Sequence, residues 1–96
     1  MELVLDGHEI LAELDFHRAL NVAFDFGPHY GWNRAALWDR LSRDVERPVR
    51  IVWKHSAVSA KALGAEVFVE LCLLVAAVAE SDNDGGYEHR LEFFLC

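Results

Sequence analysis

The sequence predicts an α/β protein built on a parallel β-sheet, and three observations lead there. Three short stretches, "ELVLDG" near the start, "VRIVWK" and "HRLEFFLC", are apolar, β-branched or aromatic in the manner of strands. Segments with helical periodicity separate them. Those segments are long enough for the crossovers that parallel neighbours require.

Each element has its own justification. "ELVLDG" stops at Asp6-Gly7, a turn dipeptide. From Glu13 to Asp25, Phe16, Ala19, Leu20, Ala23 and Phe24 recur three and four apart, which places them on one helical face. Gly27, Pro28 and Gly31 then interrupt the chain in "FGPHYGWN". A second helix, Arg34 to Asp44, turns Leu37, Leu41 and Val45 inward, and Pro48 follows its end. Val49 to Lys54 is the second strand. A short helix is expected over Ser56 to Leu63, with Gly64 as its stop. Ala65 to Glu80 is apolar on nearly every side, with Val67, Leu71, Leu74, Val75 and Val78 on one face and Val69 and Leu73 on the other. That helix should be almost wholly buried or form a homodimer contact. "ESDNDGGY" is a polar loop, and His89 to Cys96 is the last strand.

Length and charge narrow the function. Residues 1–96 make one domain, and 53% apolar with 26% charged residues is too apolar for disorder. Nine Lys plus Arg against sixteen Asp plus Glu give a formal charge of -7, which disfavours nucleic acid and anionic membrane and favours a basic protein partner. Cys72 and Cys96 form neither a CxxC pair nor a disulfide framework, and the start lacks the basic and long apolar segments of a signal peptide. A cytoplasmic location is expected. "VFVELCLLVAAVA" is too short to span a bilayer.

Patterns for catalysis and metal binding are missing along the chain. His8, His17, His29, His55 and His89 follow no HExxH, HxH or HxxxH spacing, so most of them read as surface or capping residues and no metal or cofactor is expected. A calcium loop begun at Glu80 would put Leu91 where a bidentate Glu is required. No serine sits in a GxSxG elbow, Cys72 in "ELCLLV" reads as an inert core thiol, and no Gly-rich phosphate loop occurs. An enzyme is not expected.

The stretch "YGWNRAALWDRL", Tyr30 to Leu41, carries the functional signal. At 3.6 residues per turn, Asp39 shares a side with Ala35 and Arg43, opposite Leu37 and Leu41, and so faces solvent. Asp39 and Arg43 are spaced for an acid-first pair that would support the helix by about 0.3–0.5 kcal/mol and do nothing else. Against that, Trp38 lies between the two faces, and Tyr30 and Trp32 stand in a Gly-containing loop just before the helix. Aromatics beside an exposed acid resemble a protein-binding centre.

The same stretch resembles the barstar family of ribonuclease inhibitors. It matches the family pattern Tyr-Gly-x-Asn-x-x-Ala-Leu-Trp-Asp-x-Leu at Tyr30, Gly31, Asn33, Ala36, Leu37, Trp38, Asp39 and Leu41, and "LDFHRAL", "RPVRIVWK" and "LGAE" also fit. The resemblance covers essentially the whole chain. It implies a three-stranded parallel sheet packed by about four helices. It also implies that the loop Pro28–Asn33 and the following helix enter a ribonuclease active site, where Asp39 takes the place of a substrate phosphate. The partner-binding residues would be Asp39, Trp38, Tyr30, Gly31, Asn33, His29, Trp32 and Ala35.

Several positions depart from the family pattern. A second acid of this helix falls at Ala35, and the loop aromatic that stacks on the enzyme falls at His29. The acid of the long helix aligns near Leu74, with Glu80 and Asp82 one to two turns beyond. Trp32, Arg34 and Arg40 are additions, and the two arginines dilute the negative face. The implied partner is a basic ribonuclease or a nuclease toxin countered by an immunity protein. The alternative is a barstar-like adaptor, or a self-associating module with a non-nuclease partner. The chain itself would be a monomer or a homodimer.

Overall fold

In the computed structural model, strands β1 (Glu2–Asp6), β2 (Val49–Lys54) and β3 (Leu91–Leu95) pair in parallel in the order β1-β2-β3. The structure describes residues 1–82 and 89–96; most of the stretch read as a polar loop and tested as a calcium loop, 83–88, lies outside the described residues. Four helices cover the sheet: α1 (Glu13–Phe24), α2 (Arg34–Arg43), α3 (Ser56–Leu63) and α4 (Ala65–Ser81). The expected α/β class, the strand number and the parallel sense all hold.

Strand alternation decides which way the sheet faces. In β2, Val49, Ile51 and Trp53 are buried while Arg50 and Lys54 are exposed, the period of two that separates the faces of a pleated strand. Parallel register brings Leu5 beside Trp53 and Ile51 beside Phe93. From the helical side Phe16, Leu20, Leu37, Leu41, Leu71 and Val75 complete one hydrophobic core, with the Phe16 ring stacked on Trp53 at 4.9 Å. The indole Nε1–H of Trp53 is satisfied by the Ser59 Oγ at 3.1 Å, and that hydroxyl donates to the Gly7 carbonyl at 2.9 Å. Two buried hydrogen bonds therefore tie β2, α3 and the end of β1.

The helices end for local reasons. The Asp15 carboxylate accepts from the Leu11 and Ala12 amides before α1, and Asp25 closes that helix in a left-handed conformation. Asn33 caps α2, its Oδ1 accepting from Ala36 N at 2.8 Å. The structure revises two expectations. Asp6-Gly7 leads into a turn of 3₁₀ helix, Gly7–Glu9, rather than a simple turn. Of the two readings of α4, near-complete burial fails and the homodimer contact stays open: Leu71, Val75 and Val78 are in the core, whereas Val69 and Leu73 stand exposed on the far face. Its apolar excess outruns the neighbours available to cover it. Among the described residues no helix is long and apolar enough to cross a membrane.

Candidate protein-binding site

Helix α2 is fixed by what it buries. Leu37 and Leu41 are completely enclosed, and this turns Ala35, Asp39 and Arg43 to solvent. The Asp39 carboxylate lies 3.2 Å from Arg43 Nε, one turn along the same helix, and 56% of its side chain stays accessible. Trp38 sits at the border between core and solvent, 41% exposed. The helix-supporting pair expected from the spacing is therefore real, and it leaves the acid accessible.

The preceding loop is held by its backbone. Gly27 has φ +84, and Trp32 adopts φ +54, a left-handed conformation that side chains other than glycine rarely take. Gly31 packs closely on the first turn of α2; a Cβ there would come within 3.2 Å of the Ala36 methyl. The Asn33 Nδ2–H donates to the Gly31 carbonyl at 3.3 Å, so the same side chain caps the helix and pins the loop. These constraints hold the Trp32 indole half out of the surface, against the Tyr30 ring at 5.3 Å between centroids.

Tyr30 requires a correction. Expected to offer aromatic surface to a partner, its side chain is only 3% exposed and packs against Phe26, so it supports the loop from below. Its hydroxyl meets Nδ1 of the buried His17 at 2.6 Å, and burial pushes the phenol up to about 12. His17 also reaches Glu13 Oε2 through Nε2 at 3.2 Å. A carboxylate accepts only, so Nε2 carries the proton, and in the neutral ring Nδ1 accepts from the tyrosine hydroxyl. His17 is thus a core residue, an exception to the reading of most histidines as surface or capping residues.

The two added arginines are also revised. Arg34 grips Glu13 through Nε at 3.0 Å and Nη2 at 2.9 Å, and a second carboxylate, Glu70 of α4, meets its Nη1. Hydrogen bonding from Arg34 holds the Glu13 carboxyl below its usual range. Arg40 pairs with Asp44 at 2.8 Å. Each guanidinium is matched by an acid, so neither is a bare positive charge on the face that carries Asp39.

The remaining expected contacts divide by exposure. Gly31, Trp32, Asn33, Ala35, Trp38 and Asp39 lie exposed on the loop and the outer side of α2, and His29 is exposed in the same loop. Leu74 is partly buried in the core margin. Asp82 is engaged with Arg47 Nε at 2.8 Å and the Leu91 amide at 2.9 Å, which makes it a structural acid. The Glu13–His17 pair was missed, although its four-residue spacing on α1 was a signal that could have shown it. The partners of Arg34 gave no such signal, because Glu13 and Glu70 stand on other helices. The histidine spacing also concealed a convergence: Asp6, His8 and His55 offer donor atoms within 4.8 Å of one another. Cys72 fits an unreactive thiol, since burial raises it to about 11.

A helix-covered parallel sheet that presents a constrained loop and an exposed acid beside half-exposed indoles belongs with α/β proteins that offer a binding surface to another protein. The family comparison agrees in kind. A family model described as Barstar (barnase inhibitor) matches residues 1–95, and the chain belongs to that family. It is a family of inhibitors, whose partner is a ribonuclease, and not of catalysts.

Proposed function

We propose that this protein is a cytoplasmic inhibitor of a barnase-type ribonuclease or related nuclease toxin, blocking the enzyme's active site with the loop Pro28–Asn33 and helix α2. The observation that carries the reading is the placement of Asp39 on the solvent side of a capped, core-anchored helix. A ribonuclease must hold phosphate with cationic groups, and a rigidly presented carboxylate meets the same need through charge-assisted hydrogen bonds. Little is lost on the inhibitor's side. Parting Asp39 from Arg43 gives up about 0.3–0.5 kcal/mol, the usual worth of such a surface helix pair. Trp38 and Trp32 supply apolar contact around the acid, and Tyr30 with His17 keeps the loop in place from within. The reaction is blocked by occlusion, without chemistry.

Titration of a barnase-type ribonuclease with the purified protein, following RNA cleavage, tests the proposal. Stoichiometric inhibition by the native chain is expected, lost in Asp39→Ala and poor in Asp39→Asn, which keeps shape but discards charge. Equal inhibition by all three would overturn the phosphate-mimic role. Absence of inhibition by the native chain would favour the adaptor reading. A specific observation also favours self-association: exposed Val69 and Leu73 on α4 form an apolar face. Sedimentation of the native chain and Leu73→Asp at several concentrations checks it, with a native dimer that the variant dissociates as the supporting result.

A further inference from the structure

Another convergence of titratable side chains lies at the carboxyl ends of β1 and β2. Parallel pairing sets Asp6 beside Lys54, so the two strands deliver the chain side by side into the turn Gly7–Glu9 and into His55. Gly7 makes the approach possible. A Cβ on it would lie 2.0 Å from the His55 carbonyl oxygen, so any side chain there would force the two segments apart. The buried Ser59 hydroxyl holds the Gly7 carbonyl at 2.9 Å from below. His55 itself takes φ +53 before α3. The backbone carrying the cluster is therefore fixed on both sides.

The side chains converge above that support. The His8 and His55 rings stand 4.4 Å apart between centroids at 46°. Asp6 Oδ1 accepts from the His8 amide at 2.9 Å and lies 3.0 Å from His8 Nδ1. One carboxylate oxygen and one nitrogen from each imidazole fall within 4.8 Å of one another. Around a tetrahedral zinc with bonds of about 2.0–2.1 Å, ligand atoms are roughly 3.4 Å apart, so small side-chain rotations convert this cluster into a coordination set. All three side chains are exposed, which leaves room for water or an outside ligand at the remaining position.

We propose that Asp6, His8 and His55 form a binding site for one divalent transition metal ion, of which Zn²⁺ is the representative. Two imidazoles and a carboxylate are a donor set suited to zinc and leave its fourth position open. Asp6 ends β1 and His55 directly follows β2, far apart in sequence, so the complete site exists only when β1 and β2 are paired. The ion thus binds the folded chain selectively and raises its melting temperature.

Calorimetric titration of the EDTA-treated native protein with Zn²⁺ tests this directly, together with melts in its presence. Saturable binding of one ion per chain and an upward shift of the melting temperature are expected. His8→Asn and His55→Asn should each weaken binding at least tenfold; asparagine at 55 tolerates the left-handed backbone. Cys96→Ser and His89→Asn should leave binding unchanged. Zinc-induced shifts of the His8 and His55 ring resonances in the native chain give a readout independent of how the variants fold. No saturable binding, a stoichiometry other than one, or shifts confined to other histidines would each overturn the assignment.

Discussion

The two ends of α2 use the same pair of functional groups to opposite effect. At the N-terminal end Arg34, partly buried, takes both oxygens of Glu13 on α1 and the carboxylate of Glu70 on α4, so one guanidinium joins three helices. Farther along, Asp39 meets Arg43 of its own helix in an exposed pair at 3.2 Å. Partners on other elements make the Arg34 acids part of the scaffold. A partner one turn away leaves Asp39 free to exchange it for a better one. What separates an acid that holds the fold from one that can serve a binding partner is where its counter-charge is anchored.

The largest effect should come from breaking the comparison at its exposed end. Asp39→Ala should weaken binding to the ribonuclease by more than about 2 kcal/mol, roughly thirtyfold or more in Kd, the general range of interface hot spots. Its melting temperature should stay close to native, because the acid bridges no other element. Enzyme titration and thermal melts of the same preparation measure both. A large fall in stability with binding intact would reverse the roles assigned to the two ends.

Tyr30 extends the contrast to the loop. Tyr30→Phe keeps the ring but strips the buried His17 Nδ1 of its 2.6 Å partner, and should cost about 1–3 kcal/mol of stability. Denaturant unfolding gives the magnitude. Inhibition by the folded variant should remain near native, since the tyrosine ring lies beneath the binding surface.

Much of this arrangement was legible in the sequence. Period and turn chemistry placed every strand and α-helix, because local propensity and the tertiary core agreed at residues such as Leu37, Leu41 and Trp53. The exposure of Asp39 followed from helical spacing alone. Burial of Tyr30 did not, because a loop has no period from which to read a facing direction. The partners of Arg34 and the meeting of Asp6 with His55 were hidden for a different reason: each depends on how separate elements pack. Which of the two readings of α4 held was not legible, because a helix's apolar content says nothing about how many neighbours will cover it.

A smaller effect sharpens the scaffold side. Glu13→Gln removes the carboxylate that Arg34 and His17 share, and should cost about 1 kcal/mol near neutral pH, discounted for partial exposure. Its folded-state pKa lies below the ordinary value of 4.5, chiefly through the Arg34 hydrogen bond. The stabilisation is therefore present above about pH 4.5 and fades as pH falls through the lower, folded value. Urea midpoints from pH 7 to pH 3 should converge for the native chain and the variant as acid is added. A constant gap would mean that the carboxylate charge is not what Arg34 requires.

The smallest effect returns to the exposed pair. Arg43→Ala should lower stability by only about 0.3–0.5 kcal/mol, the value of an exposed pair one helical turn apart. For binding, the two views of this arginine disagree in sign. If Arg43 orients Asp39 for the enzyme, its loss weakens inhibition. If Arg43 merely holds the acid until a stronger cationic site replaces it, its loss removes a competitor and adds to the protein's negative charge. Affinity should then be unchanged or up to about twofold tighter, and association should be faster at low salt. The second outcome is expected, because the Arg43 side chain is 77% exposed and its pair with Asp39 connects no second element. Association rates for the native chain and the variant at two salt concentrations decide it, with slower association and weaker binding in the variant assigning Arg43 to the interface itself.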